Sequence, residues 1–477
     1  MMGRFRGCFP ALLTISAAAL TACSEGGGGV GPVEQGAATI SLDITSDRTL
    51  SPDTVYTLGG FVHVTQGATL RILPGTRIEG RSGSALFILR GAKIDARGTA
   101  TSPIVFTSAQ PEGQRAPGDW GGLVIVGNGI VNRASPVLLE GTNTNPGGAS
   151  GQNYAVDYSG GSNNADDSGV LEYVRIEFAG FGPAQDAELN SLTLAAVGSG
   201  TRIQYVQTLA GLDDSFEWFG GAVDGKYLIS YESGDDHFDA SEGYVGRNQF
   251  LIAFQSTQLQ NAPGAGNTST DPQGFENDGC QGANCVNGQT SQPFTIPMFA
   301  NFTVIGPGPG VYTAPGGGRG MVLRRGTGGH YVNGIVARWP AAAFAIRDAT
   351  TKARIDAGEF TMRNILIAEN GTAFEPDVAS TSTRHFSLDM APNQIVAHSG
   401  TAASLFAGLP SQPAVPTTAT LDWALATNSP ARTGGTGAFA GALAAKAGTF
   451  VTGTTFRGAA DPNGPRWWTG WTNYARR

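Results

Sequence analysis

Charge is scarce in this chain. Asp, Glu, Lys and Arg together make up 14% of its 477 residues, and histidine occurs five times. With 30 basic residues against 38 acidic ones and a net charge of −8, the chain lacks the basic surface that nucleic acid requires as a partner. Methionine is rare, at 6 residues. Beyond the first twenty or so residues, no stretch approaches the roughly 18 apolar residues of a membrane-spanning helix. The HExxH, GxSxG and EF-hand patterns are absent as well. Glycine (70) and proline (26) are abundant, about a fifth of the chain against an ordinary ~12%. Both disfavour helix interiors, so a helical bundle is excluded. Hydrophobic residues at 40% supply a sizeable core, so the chain is not disordered.

The chain begins with a basic region (Arg4, Arg6) and a short apolar run from Phe9 to Leu20. This run is too short to span a bilayer but has the length of a signal-peptide core. It ends in Leu20-Thr21-Ala22-Cys23, which resembles the lipobox of bacterial lipoproteins. The resemblance implies cleavage after residue 22, lipidation of Cys23 and, with Ser24 following, sorting to the outer membrane. Residues 23–37 then form a lipidated Cys and a Gly-rich tether. Only Cys280 and Cys285 remain for the mature body, and an oxidising compartment favours a local disulfide between them over a metal pair.

From residue 38 onward, short β-rich runs recur between turns. Phe61-Val-His-Val matches Ala85-Leu-Phe-Ile at an offset of 24, and Tyr205-Val206 matches Tyr227-Leu228 at 22, with Phe250-Leu-Ile one repeat later. Asn301, Asn333 and Asn364 head three further copies. Repeats in the low twenties, lengthened by insertions, predict the coils of a parallel β-helix over residues 38–395. A propeller would keep a period near 40–45 residues, which is not found. The Asn series is expected to stack as an internal amide ladder. Residues 396–477 lose the pattern. Thr418 to Ala426 and Ala438 to Gly448 are expected as short helices, and Trp467, Trp468, Trp471 and Tyr474 as a cap on the open end of the solenoid.

Gly118-Asp-Trp-Gly-Gly-Leu-Val-Ile, Ser168-Gly-Val-Leu-Glu-Tyr-Val-Arg-Ile-Glu-Phe-Ala-Gly and Asp213-Asp-Ser-Phe-Glu-Trp-Phe-Gly-Gly are similar to strings in a family of bacterial β-helical lipoproteins. Gly320-Met-Val-Leu-Arg-Arg-Gly-Thr-Gly-Gly and Trp468-Thr-Gly-Trp extend the resemblance from about residue 55 to the end. It implies an all-β, right-handed parallel β-helix of pectate-lyase-like type in an outer-membrane or extracellular lipoprotein. It implies no particular activity, because folds host many functions.

One constellation of chemistry emerges from the repeat itself. Asp213-Asp-Ser-Phe-Glu217 aligns with Asp235-Asp-His-Phe-Asp239 at an offset of 22. If 22 residues make one rung, Asp213 stacks on Asp235, Asp214 on Asp236 and Glu217 on Asp239, about 4.8 Å apart. Carboxylates so placed repel and require a cation, Arg partners or raised pKa values. Calcium fits clustered oxygen ligands on turns. Alternatively Asp214, Asp236 and Asp239 act as acid and base in glycoside hydrolysis, or the set merely stabilises turns. A polysaccharide lyase would need a base, and Arg247 is the nearby candidate. Trp218, Tyr231 and Tyr244 are candidates to stack on sugar rings. Glu276 and Asp278 are expected in a loop folding back over the same face. Of Arg324 and Arg325, strand alternation allows at most one to point inward. Asn153 to Asp167 reads as an exposed loop.

Two functions are consistent with these residues: a non-enzymatic surface lipoprotein binding a glycan, nutrient or envelope protein, and a polysaccharide lyase or hydrolase using the carboxylate ladder.

Overall fold

The computed structural model describes residues 35–144, 155–184, 187–312, 315–377, 383–410 and 421–476. The signal segment, Cys23 and nearly all of the tether lie outside them. Gly36 to Arg477 form one compact unit. Within it the chain winds as a parallel β-helix. Phe61–Val64, Ala85–Ile88, Leu123–Val126, Leu192–Ala195, Phe216–Phe219, Phe238–Ser241, Phe275–Asp278, Arg319–Arg324 and Ala342–Arg347 pair in parallel along one face. The short strand His385–Phe386 closes this ten-stranded sheet in antiparallel fashion. A 17-stranded sheet wraps the other two faces.

The wrap is made by long strands that bend in the middle. Gly169–Glu177, Arg202–Gly211, Asp224–Ser233, Arg247–Phe254 and Met298–Ile305 bend at Tyr173, Tyr205, Tyr227, Phe250 and Asn301, whose φ angles lie between 51° and 64°. Asn333 (φ 59°) and Asn364 (φ 57°) occupy the same corner of later rungs. A left-handed conformation costs a non-glycine residue about 1–2 kcal/mol. Stacking offsets it at the aromatic rungs, where centroids follow at 4.3, 4.5 and 5.1 Å from Tyr173 to Phe250. At the polar rungs Asn tolerates the conformation through its short hydrogen-bonding side chain.

This geometry corrects the expected internal Asn ladder. At the corner the side chains point out of the solenoid, and residues 433–458 lie over them. Asn301 Nδ2 donates to Thr454 Oγ1 at 2.7 Å, Asn333 Oδ1 accepts from the Thr436 amide at 2.8 Å, and Asn364 Nδ2 donates to Gly434 O at 2.9 Å.

The interior is a set of apolar rows. Leu192, Phe216, Phe238, Phe275, Met321 and Phe344 follow one another in register. The last rung strand, Val396–His398, pairs with Leu366–Ala368, and the chain beyond it packs along the flank. Ala438 to Gly448 contains the helix Gly441–Ala447. Of the other expected helix, Thr418 to Ala426, residues 418–420 lie outside the described residues, and the remainder holds a strand, Asp422–Leu425, paired antiparallel with Phe406–Gly408. Its burial alternates through Leu421, Trp423 and Leu425, a period of two that outweighs the alanines.

The terminal aromatics do not cap an open end. Trp471 meets the rings of Tyr173 and Tyr205 edge-on at 5.9 and 6.2 Å, Trp467 packs on Tyr227 at 5.2 Å, and Tyr474 on Tyr231 at 4.9 Å. Gln207 clamps the Asn473 backbone from both sides, at 2.6 and 2.8 Å. The left-handed corner turns its tyrosines outward, and that exposed ladder is what the segment covers.

Candidate functional site

The strands Phe216–Phe219, Phe238–Ser241 and Phe275–Asp278 present alternate side chains inward and outward. Phe216, Phe238 and Phe275 enter the core, while Glu217, Asp239 and Glu276 form an outward row in direct register. The turn before each strand adds Asp213 and Asp214, then Asp235 and Asp236. Gly234 is required here: a Cβ would come within 1.8 Å of Leu212 O, so no other residue lets the second turn nest on the first. The amide of Asp236 donates to Asp214 Oδ1 at 2.8 Å, and the amide of Gln273 to Asp236 Oδ1 at 2.5 Å. Each turn thus holds the carboxylate of the rung below.

The resulting cleft, about 340 Å³, is lined by Glu140, Glu188, Asp213, Asp214, Glu217, Asp235, Asp236, Asp239, Asp271 and Glu276, with Asn190 and Arg324. Burial, and then neighbouring carboxylates, push Asp213, Asp214, Glu217, Asp236 and Asp239 well above the ordinary carboxylate range. Burial lifts Asp235 to about 6 even though a Ser269 hydrogen bond opposes it. Glu276 rises to about 8 by burial and its neighbour Asp278, against the pull of Arg324. Oδ1 of Asp235 and Oδ1 of Asp239 are shielded from solvent and have no hydrogen-bond partner.

Three sets of oxygens converge to within 4.8 Å of one another: Asp213, Asp214 and Asp235; Asp214, Glu217 and Asp239; Asp236, Asp239 and Glu276. All-oxygen clusters of this kind are the donor set of a hard cation such as calcium. They are also closer than the carboxyl pairs of inverting glycosidases, which stand roughly 6.5–9.5 Å apart to admit a water.

Several expectations are corrected here. Glu276 and Asp278 lie on a strand of the next rung, not in a loop. Arg324 and Arg325 both engage carboxylates: Arg324 pairs with Glu276 and, at 3.1 Å, with Asp278, while Arg325 also pairs with Asp278. Arg325 has φ 58°, and that left-handed turn breaks the alternation that would have separated them. Trp218 is buried in the core against Phe216, Phe238 and Tyr244. Tyr244 is buried with its hydroxyl on Val223 O at 2.7 Å, and Tyr231 lies beneath Tyr474. None of these three rings is available to a sugar. Arg247 is held by Asp224, at 2.5 Å, away from the cleft. The stretch 155–167 is not simply exposed, since Tyr158 is buried and donates to Glu242 Oε2 at 2.6 Å.

Glu140, Glu188 and Asp271 are lining residues that the repeat pattern does not reveal, and Asn190 is one that the sequence reading missed. Asn190 carried a signal, because Asn190-Ser191-Leu192 aligns with Asp214-Ser215-Phe216 one rung later. Its amide bonds Glu217. Glu140 and Asp271 arrive from excursions outside the repeat and carried none. Cys280 and Cys285 are joined by a disulfide beside the cleft strand Phe275–Asp278.

Coiled sheets paired in parallel from rung to rung, with charged groups set along one outward face, define a β-helix of the pectate-lyase-like type. The family model for a pectate-lyase like beta helix domain matches residues 42–410, and the chain belongs to that family. Neither a curated protein nor a solved structure matches the chain significantly.

Proposed function

We propose that this is an outer-membrane or cell-surface lipoprotein whose β-helix binds a divalent cation, calcium by its donor set, in the acidic cleft. Through that cation it would hold a glycan or another acidic envelope component without turning it over. The observation that carries this reading is the convergence of carboxylate oxygens on successive rungs, two of them buried without a partner. Against catalysis stands Arg324, the one cation lining the cleft among the described residues, which is already paired with Glu276 and Asp278 and is no free base. One observation favours a polysaccharide hydrolase or lyase instead. Asp235 at about 6 and Glu276 at about 8 straddle neutrality, as an acid and a base do.

The experiment is to incubate the soluble body with anionic and neutral polysaccharides, with calcium and with chelator, following retention, reducing ends and unsaturated product. Calcium-dependent retention without turnover is expected. Turnover abolished by Asp236→Asn would replace the binding reading with the enzymatic one.

The anchor has its own test. Cys23→Ala is expected to move the protein from membranes into the soluble fraction, because among the described residues no helix is long and apolar enough to cross a membrane. Salt-resistant membrane association of that variant would refute lipid anchoring.

A further inference from the structure

A second charged site lies on the flank, where the helix Gly441–Ala447 seats Leu443, Ala447 and the following Val451 on Met298, Ala300 and Val332. Three cations gather there. Lys226 Nζ donates to Phe450 O at 2.8 Å, Arg247 Nη1 to Ala447 O at 3.3 Å, and Lys446 Nζ to Val245 O at 2.5 Å. One carboxylate, Asp224, faces them, and Arg247 occupies both of its oxygens, through Nε at 2.9 Å and Nη2 at 2.5 Å. Among the described residues Lys226 and Lys446 enter no ion pair, and the Asp224–Arg247 bridge is complete without them. A cavity of about 430 Å³ opens beside this group, lined among others by Asn164, Ser199, Asp224, Arg247 and Lys446.

We propose that this cavity is a subsite for a small oxyanion group, carried either by an acidic sugar as its carboxylate or by inorganic phosphate, with Lys446 as the residue that binds it. Of the two cations lining the cavity, Arg247 is bridged to Asp224, while Lys446 forms no ion pair among the described residues. An ammonium has three N–H donors, and Val245 takes one. Asn164 accepts the Ile130 amide through Oδ1 at 2.8 Å, which leaves its NH₂ as a donor, and Ser199 adds a hydroxyl. The nearby acids are engaged elsewhere: Asp166 accepts the Asn128 amide at 2.9 Å, and Asp167 pairs with Lys93 at 2.6 Å. Burial holds Lys446 down at about 8, and an anion in contact with it would restore the ordinary ammonium.

Calorimetric titration of the protein with glucuronate and, separately, with inorganic phosphate, at constant ionic strength, tests the assignment. Saturable binding of at least one is expected, and which one binds identifies the source of the oxyanion. Lys446→Met is expected to weaken it about tenfold or more, the loss of one charge-assisted hydrogen bond, while Lys446→Arg retains most of it. Should the Met variant misfold, the wild-type protein with lysine labelled by ¹³C at Cε, its amines unmodified, gives the same answer through movement of the Lys446 resonance on titration. No heat with either anion at tens of millimolar, binding unchanged in a folded Lys446→Met, or a Lys446 resonance that stays fixed would overturn the proposal.

Discussion

Chelating divalent cations is expected to lower the melting temperature of the wild-type protein, and replacing Asp214 and Asp236 together by Asn is expected to abolish that sensitivity. The two residues sit on adjacent rungs, linked by the Asp236 amide on Asp214 Oδ1. Asn keeps an oxygen for each amide while removing the charge and exchanging the other ligand oxygen for an NH₂. A cation at a hundredfold excess over its dissociation constant stabilises the folded state by about 2.7 kcal/mol per independent site. In chelator the variant should equal or exceed the wild type, because two buried like charges are gone. A wild type indifferent to chelator would show that the cleft holds no cation.

The same groups fix the sign of the pH dependence. Asp235 and Glu276 are raised to about 6 and about 8, so the folded chain holds these protons more tightly than the unfolded one. In cation-free protein that contribution is complete below the unfolded carboxylate range near pH 4 and is lost as pH climbs through 6 to 8. Each tenfold difference in proton affinity between the two states is worth about 1.4 kcal/mol. Melting temperature in chelator should therefore fall from pH 5 to pH 8.5. Calcium competes with protons for the same oxygens, so its increment should grow over that interval. An increment that shrinks would contradict cation binding by these carboxylates.

The second large effect lies on the flank. Trp471 is fully buried, edge-on to Tyr173 and Tyr205, with its Nε1 donating to Trp467 O at 2.8 Å. Trp471→Ala is expected to cost about 3–5 kcal/mol, the range for deleting a buried aromatic, and Trp471→Phe much less. Denaturant unfolding measures the loss. Hydrogen exchange should localise it to the corner strands Gly169–Glu177 and Arg202–Gly211. A loss below about 1 kcal/mol would mean that these rings are only lightly covered.

The rungs were legible because the repeat carries its own register. Two acidic strings 22 residues apart fall on neighbouring strands, and the Phe between them fixes which side faces the core. The same alternation places Trp218 with Phe216 on the buried side, opposite Glu217, and so argues against a sugar-stacking role for it. Other features left no trace in local pattern. The left-handed Arg325, which turns two arginines onto Glu276 and Asp278, is not signalled by its residue type. Glu140 and Asp271 join the cleft only after the chain has closed in three dimensions. Asp422–Leu425 was hidden by alanines, which favour helix locally but yield to Leu421, Trp423 and Leu425 buried in alternation.

The corner ladder also orders the events of synthesis. Each rung contacts the one before it, made 18 to 75 residues earlier, so coils can zip as they emerge. Tyr173 and Tyr205 gain their cover only from Trp471, nearly three hundred residues later. A chain halted before that point would present a column of stacked aromatic rings to solvent, the kind of surface on which chaperones and proteases act.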